Sequence, residues 1–130
     1  FEHDAVGYNY RMPNLNAALA CAQLEQLPAF LENKRQTALR YAKFCDGAGI
    51  PFLQERHGTV SNYWLNCIQT GSREERDAVL AYSHAQGIMA RPAWKLMPEL
   101  PPFAESFSGP LENARWLADR LVTLPSSVRV

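Results

Sequence analysis

A short polar run near the start of the chain has side chains suited to specific recognition rather than to an ordinary scaffold. Gly7, Asn9 and Arg11 alternate with two tyrosines in the segment GYNYR, just before Pro13 and an alanine-rich stretch. The amide of Asn9 can donate hydrogen bonds, and the guanidinium of Arg11 is planar and always charged. The simpler alternative is that Asn9 caps a turn and Arg11 forms a surface ion pair.

Residue types that often carry catalysis are scattered elsewhere in the chain. The sequence has neither a glycine-rich phosphate loop nor the HExxH and CxxC ligand spacings. The three histidines, His3, His57 and His84, are far apart, and we expect them to lie at the surface or to be hydrogen-bonded rather than to act as bases. Lys34 and Lys43 lie among polar residues of a predicted helix, and we expect both to be solvated.

A proline-rich segment, residues 93–110, directly follows Pro92 and contains Trp94 and Lys95. Its prolines are too close together for regular structure, and a loop of this length in a compact domain is more often functional than idle. For Lys95 the alternative to a binding role is a solvated charge. Trp94 could stack on a flat ligand, or it could equally be a lid over the core of its own domain.

Composition limits the class of protein. The chain has 130 residues, 47% of them hydrophobic, and its 13 basic and 13 acidic side chains cancel. This is the size of one globular domain with a real core. A neutral chain without a basic stripe gives little support for nucleic-acid binding, and no apolar window is long enough to span a membrane. Three widely spaced cysteines, Cys21, Cys45 and Cys67, are expected to be buried free thiols of a cytoplasmic protein.

Two helices are predicted in the first third of the chain. Leucines and alanines at helical spacing predict a helix from residue 14 to about 27, with Asn14 as its N-cap. Pro28 cannot donate a backbone hydrogen bond, so a kink or break is expected there. A second helix over 29–45 should end in the segment 46–49, where glycines tolerate a left-handed backbone.

Strands and helices alternate in the remainder. Ser72 and Glu75 have the spacing of a capping box and predict the start of a helix that Gly87 ends. A last helix is predicted over 111–121. Alternating or continuous apolar runs predict strands over 50–53, 62–70, 88–91 and 122–124. This order predicts an α/β fold (an α+β sandwich) in which a small, mostly antiparallel sheet has helices packed on it and follows a long N-terminal helical arm.

The segment HDAVGYNYRMPNLNAALACAQLEQL, residues 3–27, resembles the segment that joins the two domains of DegT/StrS-type sugar aminotransferases. These are fold type I pyridoxal-phosphate enzymes of the aspartate aminotransferase superfamily that act on nucleotide-linked keto sugars. The later blocks NYWLNCIQT, GIMARPAWKLMPELPPF and ENARWLADRLVTLPSS are similar to a strand, a substrate-facing loop and a closing helix of the same family. The RPxW form of the loop most resembles the branch that aminates UDP-linked N-acetyl-hexosamines, including legionaminic-type precursors.

The resemblance implies a homodimer whose active sites are shared between subunits. Asn9 would then donate to the phosphate of the partner subunit's pyridoxal phosphate, and Arg11 would bind the same phosphate or the diphosphate of the substrate. Arg91, Trp94 and Lys95 would face the nucleotide-sugar substrate. A helix starting at residue 14 would pack at the interface.

The resemblance also implies that part of the enzyme lies outside this chain. Residues 1–28 would be the interdomain segment and interface helix, and residues 29–130 the C-terminal small domain. The large domain, with the lysine that forms a Schiff base with the cofactor and the acid on its pyridine nitrogen, would lie upstream. The chain alone would be inactive, whereas the full-length enzyme would transfer an amino group from an amino acid, expected to be glutamate, in surface-polysaccharide or amino-sugar biosynthesis.

One position departs from the family pattern. Members often carry a histidine near the place of Pro98, and proline has no side-chain donor, so any contact made by that histidine is lost. The alternative function is a non-catalytic regulatory or interaction domain derived from the family. A DNA-binding form of that alternative has little support, because the predicted helix at 14–27 contains neither lysine nor arginine.

Overall fold

The structure is a computed structural model that describes residues 4–8 and 12–128. Within this part the chain forms four α-helices and three β-strands, with two short 3-10 helices after the second strand. The predicted fold class is confirmed. The elements are α1 (Asn14–Glu25), α2 (Leu27–Ala48), β1 (Asn66–Gln69), α3 (Arg73–Ala85), β2 (Arg91–Pro92), the 3-10 helices Met97–Glu99 and Pro101–Phe103, α4 (Glu112–Ala118) and β3 (Leu121–Leu124).

The sheet is antiparallel, and its central strand is the last one in the chain. β3 lies between β1 and β2, with Val122 opposite Ile68 on one side and Arg91 opposite Thr123 on the other. Val122 is fully buried and belongs to a small core cluster with Leu80 of α3 and with Ala90. Pairing on both edges and burial of Val122 stabilise this short strand in the centre of the sheet.

Three of the predicted strands are shorter in the structure. Residues 50–53 form only an isolated bridge between Phe52 and Ile68, since Pro51 has no backbone donor to extend the ladder. The predicted strand over 62–70 begins at Asn66, because the backbone bends at residues 64 and 65, after Tyr63 with its positive φ. The predicted strand over 88–91 is reduced to Arg91–Pro92, and a tight turn with a bond from Ala90 N to the carbonyl of Ile88 precedes it.

The N-terminal helices also differ from the prediction at their ends. Asn14 is the first helical residue rather than the cap; Pro13 takes the N-cap position, and no side chain caps the helix. Pro28 lies in the first turn of α2, where its missing N–H is not needed, and so the break falls before it, at Gln26. At the other end, α2 closes in a Schellman motif at Gly49, whose φ of 67° is left-handed.

The helix after β1 starts with the predicted serine cap. Ser72 Oγ accepts a hydrogen bond from Glu75 N at 3.2 Å. Glu75 Oε2 accepts from Gly71 N at 2.7 Å, one residue before the usual capping-box partner. Gly87, with φ 72°, follows the end of the helix as predicted. The last helix is shorter than the predicted 111–121, because β3 already begins at Leu121.

The predicted N-terminal arm is present, and it is apolar without being buried. α1 contains no buried residue, and Leu15, Leu19 and Leu24 are 62 to 81% exposed.

Within residues 4–8 and 12–128, no helix combines the length and apolar character that crossing a membrane requires.

The cysteines do not all follow the expectation of buried free thiols. Cys45 is buried, and burial raises the pKa of its thiol, so it is a weak nucleophile at neutral pH. Cys67 is half-buried, with its sulfur 3.6 Å from the hydroxyl of Thr123. Cys21 is exposed, and the expectation was wrong there because nothing in the described part of the chain covers that face of α1.

Candidate functional site

Two adjoining cavities lie at the end of the sheet where β1 begins and β3 ends. The first has a volume of about 270 Å³ and the second about 290 Å³. Both are lined by Leu65, Arg91 and Thr123, so they form one continuous depression, which we call the groove.

The first cavity brings together the three residues predicted to face a substrate. Arg91 is the first residue of β2, and Pro92 ends that strand, so the chain leaves the sheet directly after it. Trp94 and Lys95 then line the same cavity as Arg91. Two cations and an indole thus share a concave surface that is open to solvent.

Trp94 lines the first cavity and Trp64 the second, and the two rings form an aromatic pair. The indole rings of Trp64 and Trp94 have centroids 6.2 Å apart and planes tilted by 31°. Both side chains remain exposed, Trp64 by 65% and Trp94 by 62%. Trp94 is therefore not a lid over the core, whose buried cluster lies around Val122. Trp64 was not predicted as a site residue, because its segment had been interpreted as part of a strand; the polar residues that precede it were the available signal.

The floor of the second cavity is held by hydrogen bonds among buried polar groups. Asn66 is 1% exposed, and its backbone and side-chain nitrogens both donate to Ser126 Oγ, at 2.9 and 3.1 Å. Ser126 Oγ in turn donates to the carbonyl of Leu124 at 2.7 Å. The segment after β3 is fixed against the start of β1 by these bonds, which gives the groove a rigid base.

Lys34 of α2 also reaches this floor. Its Nζ donates to the carbonyl of Ser126 at 2.6 Å and to that of Trp64 at 3.3 Å. The expectation that Lys34 is solvated was therefore wrong, because the helix lies close enough for its ammonium to bridge two backbone segments. Lys43, further along the same helix, is exposed as expected.

Paired charges support the proline-rich loop from its other side. A cavity of about 310 Å³ there is lined by Arg73, Arg76 and Arg115 together with carboxylates. Arg115 pairs with Glu99 at 2.9 Å, and Arg76 donates to the carbonyl of Ala118 at 2.7 Å. These contacts connect α3 and α4 to the loop. We interpret them as scaffold contacts that hold Trp94 and Lys95 in place.

The remaining candidates are placed more simply. His84 Nε2 lies 2.7 Å from the carbonyl of Ala90, in keeping with the expected hydrogen-bonded histidine. The described residues hold no group of three or more His, Cys, Asp or Glu side chains that could bind a metal ion. Asn9 and Arg11 lie outside the described residues, and their roles stay predictions.

Comparisons with known proteins identify relatives of this chain. The GDP-perosamine synthase of Vibrio cholerae is 35% identical over 129 residues, covering 95% of this chain and 35% of that protein. The enzyme of the same name from Escherichia coli O157:H7 is 32% identical over 126 residues, covering 95% of this chain and 34% of that protein. The chain thus spans about a third of the length of these curated relatives.

A solved structure and a family profile extend the comparison. Helicobacter pylori PseC, an aminotransferase involved in the biosynthesis of pseudoaminic acid, superposes with a TM-score of 0.81 at 21% identity, over 98% of this chain and 36% of that one. This is a likeness of fold. The sequence profile of the DegT/DnrJ/EryC1/StrS aminotransferase family matches residues 1–130. The chain belongs to the DegT/DnrJ/EryC1/StrS aminotransferase family.

Proposed function

We propose that this chain is the C-terminal part of a pyridoxal-phosphate-dependent aminotransferase that transfers an amino group from an amino acid to a nucleotide-linked keto sugar. Residues 29–130 are then the small domain, and residues 1–28 lead into it from a large domain upstream. The observation that carries the proposal is the shared cavity of Arg91, Trp94 and Lys95 in a member of this family. A cytoplasmic role in surface-polysaccharide or amino-sugar biosynthesis follows from such a product.

The residues of the groove have the chemistry that a nucleotide sugar needs. Its diphosphate is anionic, and Arg91 can bind oxygens in a bidentate manner while Lys95 supplies a compact positive charge. Trp94 offers a flat apolar face to a base or to a sugar ring.

Pyridoxal phosphate supplies the electron sink for amino transfer when it is bound. The described residues do not fit a complete site for it. Lys34 donates to two backbone carbonyls and is committed to holding the groove, while Lys43 is exposed on α2 next to Phe44. Lys95 lines the first cavity of the groove. In keeping with the family resemblance, we propose that the cofactor-binding lysine and the acid on the pyridine nitrogen lie in an upstream domain. Asn9 and Arg11 are proposed to reach the cofactor phosphate of the partner subunit.

The exposed arm supports an assembly in which α1 is covered. An α-helix with apolar side chains all round its surface is normally buried. Leu15, Leu19 and Leu24 are exposed on a helix that lacks lysine and arginine. We propose that the partner subunit of a homodimer and the upstream domain together cover these side chains.

Turnover by the full-length protein tests the proposed function. The protein is supplied with pyridoxal phosphate, an amino-acid donor, and GDP- or UDP-linked keto sugars, because the sequence resembles a UDP-sugar branch while two relatives are GDP-perosamine synthases. We expect an amino sugar nucleotide to form, with glutamate as the best donor. Loaded dimers that aminate none of these sugars would contradict the proposal.

Mixing two inactive variants tests the shared site. Asn9→Ala disables the site of the partner subunit, and loss of the cofactor-binding lysine disables a subunit's own site. In a mixed dimer both defects fall in the same site, so the other site is intact and about half of the native activity per heterodimer should return. Heterodimers that form but stay inactive would show that Asn9 acts within its own subunit.

A further inference from the structure

The segment that presents Trp64 to the groove, residues 61–64, is bonded to α2 at both of its ends. At the C-terminal end of the segment, Lys34 Nζ donates to the carbonyl of Trp64 at 3.3 Å, and it also donates to that of Ser126 at 2.6 Å. The ammonium therefore connects both backbone segments that line the second cavity. The bond to Ser126 is part-buried, which limits competition from water for it, whereas the bond to Trp64 is exposed.

The other tie comes from the next residue of the helix. Arg35 donates to the carbonyl of Ser61 and forms an ion pair with Glu55 at 3.6 Å. Glu55 Oε2 accepts from Ser61 N at 2.6 Å, so the backbone of Ser61 is held on both its donor and its acceptor side. The side chains of Arg35 and Glu55 are 30 and 31% exposed. This pair is better shielded than a fully solvated ion pair.

Between these two contacts with α2, Tyr63 adopts an unfavourable left-handed backbone conformation. Tyr63 has a φ of 44°, and it is the only non-glycine residue in the described part of the chain with a positive φ. A left-handed conformation is unfavourable for a tyrosine, so the surrounding contacts must maintain it. Tyr63 N donates to Ser61 Oγ and Trp64 N to Asn62 Oδ1, both at 3.0 Å. Arg35 Cζ also lies 5.9 Å from the centre of the Tyr63 ring.

The effect of this turn is to delay the start of β1 until Asn66 and to place the Trp64 indole against Trp94. A ring inserted between two parallel indoles would need about 7 Å, twice a contact distance of roughly 3.5 Å. The centroids are 6.2 Å apart and the planes are tilted by 31°, so a ligand ring does not fit between them. An outward face stays available, because both indoles are more than half exposed.

We propose that Lys34 and Arg35 are positioning residues that hold Trp64 against Trp94, and that the flat base of a nucleotide stacks on the outward face of this aromatic pair. The proposal rests on the proposed function for the identity of the ligand. The positioning itself is a property of the protein without ligand. The two parts are therefore tested by separate readouts.

The first readout is the circular dichroism of the full-length protein. Two indoles at this distance couple excitonically and give a circular-dichroism couplet. The couplet is identified as the signal that is lost in Trp64→Phe and is also lost in Trp94→Phe. Lys34→Met, which removes the donors but keeps an unbranched side chain, should reduce the couplet by at least about half, because the carbonyl of Trp64 then loses its charged donor. Lys34→Arg keeps the donors and should restore it. Lys43→Met, an exposed lysine of the same helix, is the matched control and should leave it unchanged.

The second readout is kinetic. Lys34→Met should raise the KM for the sugar nucleotide about tenfold, while kcat stays within about twofold, since binding rather than chemistry is weakened. An unchanged couplet in Lys34→Met overturns the positioning role, whatever the substrate is. A lost couplet with an unchanged KM overturns the stacking role. If the protein aminates no sugar nucleotide, the proposed function fails, and the couplet alone decides on positioning. Should Lys34→Met not fold, Lys34→Gln replaces it, because its shorter side chain cannot bridge both carbonyls.

Discussion

Replacing Trp94 by alanine tests whether the aromatic wall binds the substrate. Stacking of a base on an aromatic side chain is worth about 1–3 kcal/mol by alanine substitution. Two features of the structure favour the lower part of that range. Trp94 is 62% exposed, so little packing of the domain is lost, and Trp64 remains as a partial platform. We therefore expect about 1.4 kcal/mol, which is a tenfold increase in Kd.

The assay is isothermal titration of the full-length protein with GDP and with UDP, the nucleotide part of the candidate substrates. Trp94→Phe keeps a smaller ring and should weaken binding by only about threefold, or roughly 0.7 kcal/mol. Removing both Trp64 and Trp94 should approach the upper end of the stacking range. Trp116→Ala is the matched control, because that indole is 46% exposed on α4 and contacts Arg120 instead.

The outcome is decided by the difference between Trp94 and its control. If Trp94→Ala binds both nucleotides within about twofold of the native protein, stacking contributes nothing measurable and the reasoning is refuted. If Trp116→Ala weakens binding as much as Trp94→Ala, the effect comes from a general disturbance of the fold. Unfolding curves of the variants show whether such a disturbance is present.

Four further predictions concern stability and the chemistry of the chain. Gly49→Ala should lower the free energy of unfolding by about 1–2 kcal/mol, because the φ of Gly49 is 67°. Gly47→Ala, within α2, has room for a methyl group and should be neutral or stabilising. Equal effects of the two substitutions in denaturation would contradict the role of Gly49 as a cap. Ser126→Ala should lower the free energy of unfolding by about 1–3 kcal/mol, because two buried donors of Asn66 lose their acceptor. A decrease of less than about 0.5 kcal/mol would contradict the importance of these hydrogen bonds. Hydrogen bonds from its own backbone N–H and from a neighbouring serine hydroxyl lower the pKa of the exposed Glu74 carboxyl. Its contribution to stability is therefore present above the unfolded pKa and is lost as pH falls through the folded pKa. The urea midpoint of Glu74→Gln should differ from that of the native protein at neutral pH and converge with it in acid. Borohydride treatment of the 130-residue chain with pyridoxal phosphate should trap no stoichiometric adduct at a single lysine, and such an adduct in a peptide map would contradict the assignment of that lysine upstream.

Local signals predicted much of the fold. The cap at Ser72 and the helix ends at Gly49 and Gly87 depend on the chemistry of a few neighbouring residues, and all three are found in the structure. The late start of the strand predicted over 62–70 coincides instead with bonds from Lys34 and Arg35, about thirty residues away, to the carbonyls of Trp64 and Ser61. Periodicity within one segment carries no information on such long-range ties, so that boundary was wrong.

The candidate site was predictable to a similar extent. The RPxW segment pointed to Arg91, Trp94 and Lys95, and these residues do line one cavity, although their role in binding stays a prediction. Trp64 was missed because its position depends on the turn at Tyr63 and on the partner ring of Trp94. An aromatic contact between residues thirty positions apart has no signature in the local sequence.

The central claim, that the groove binds the nucleotide-linked sugar, is tested most directly by a crystal structure of the full-length protein with its cofactor and a nucleotide sugar. We expect the base to stack on the outward face of the Trp64 and Trp94 pair and the diphosphate oxygens to lie within hydrogen-bonding distance of Arg91 or Lys95. A nucleotide that is well ordered elsewhere, with the groove filled only by solvent, would contradict the claim.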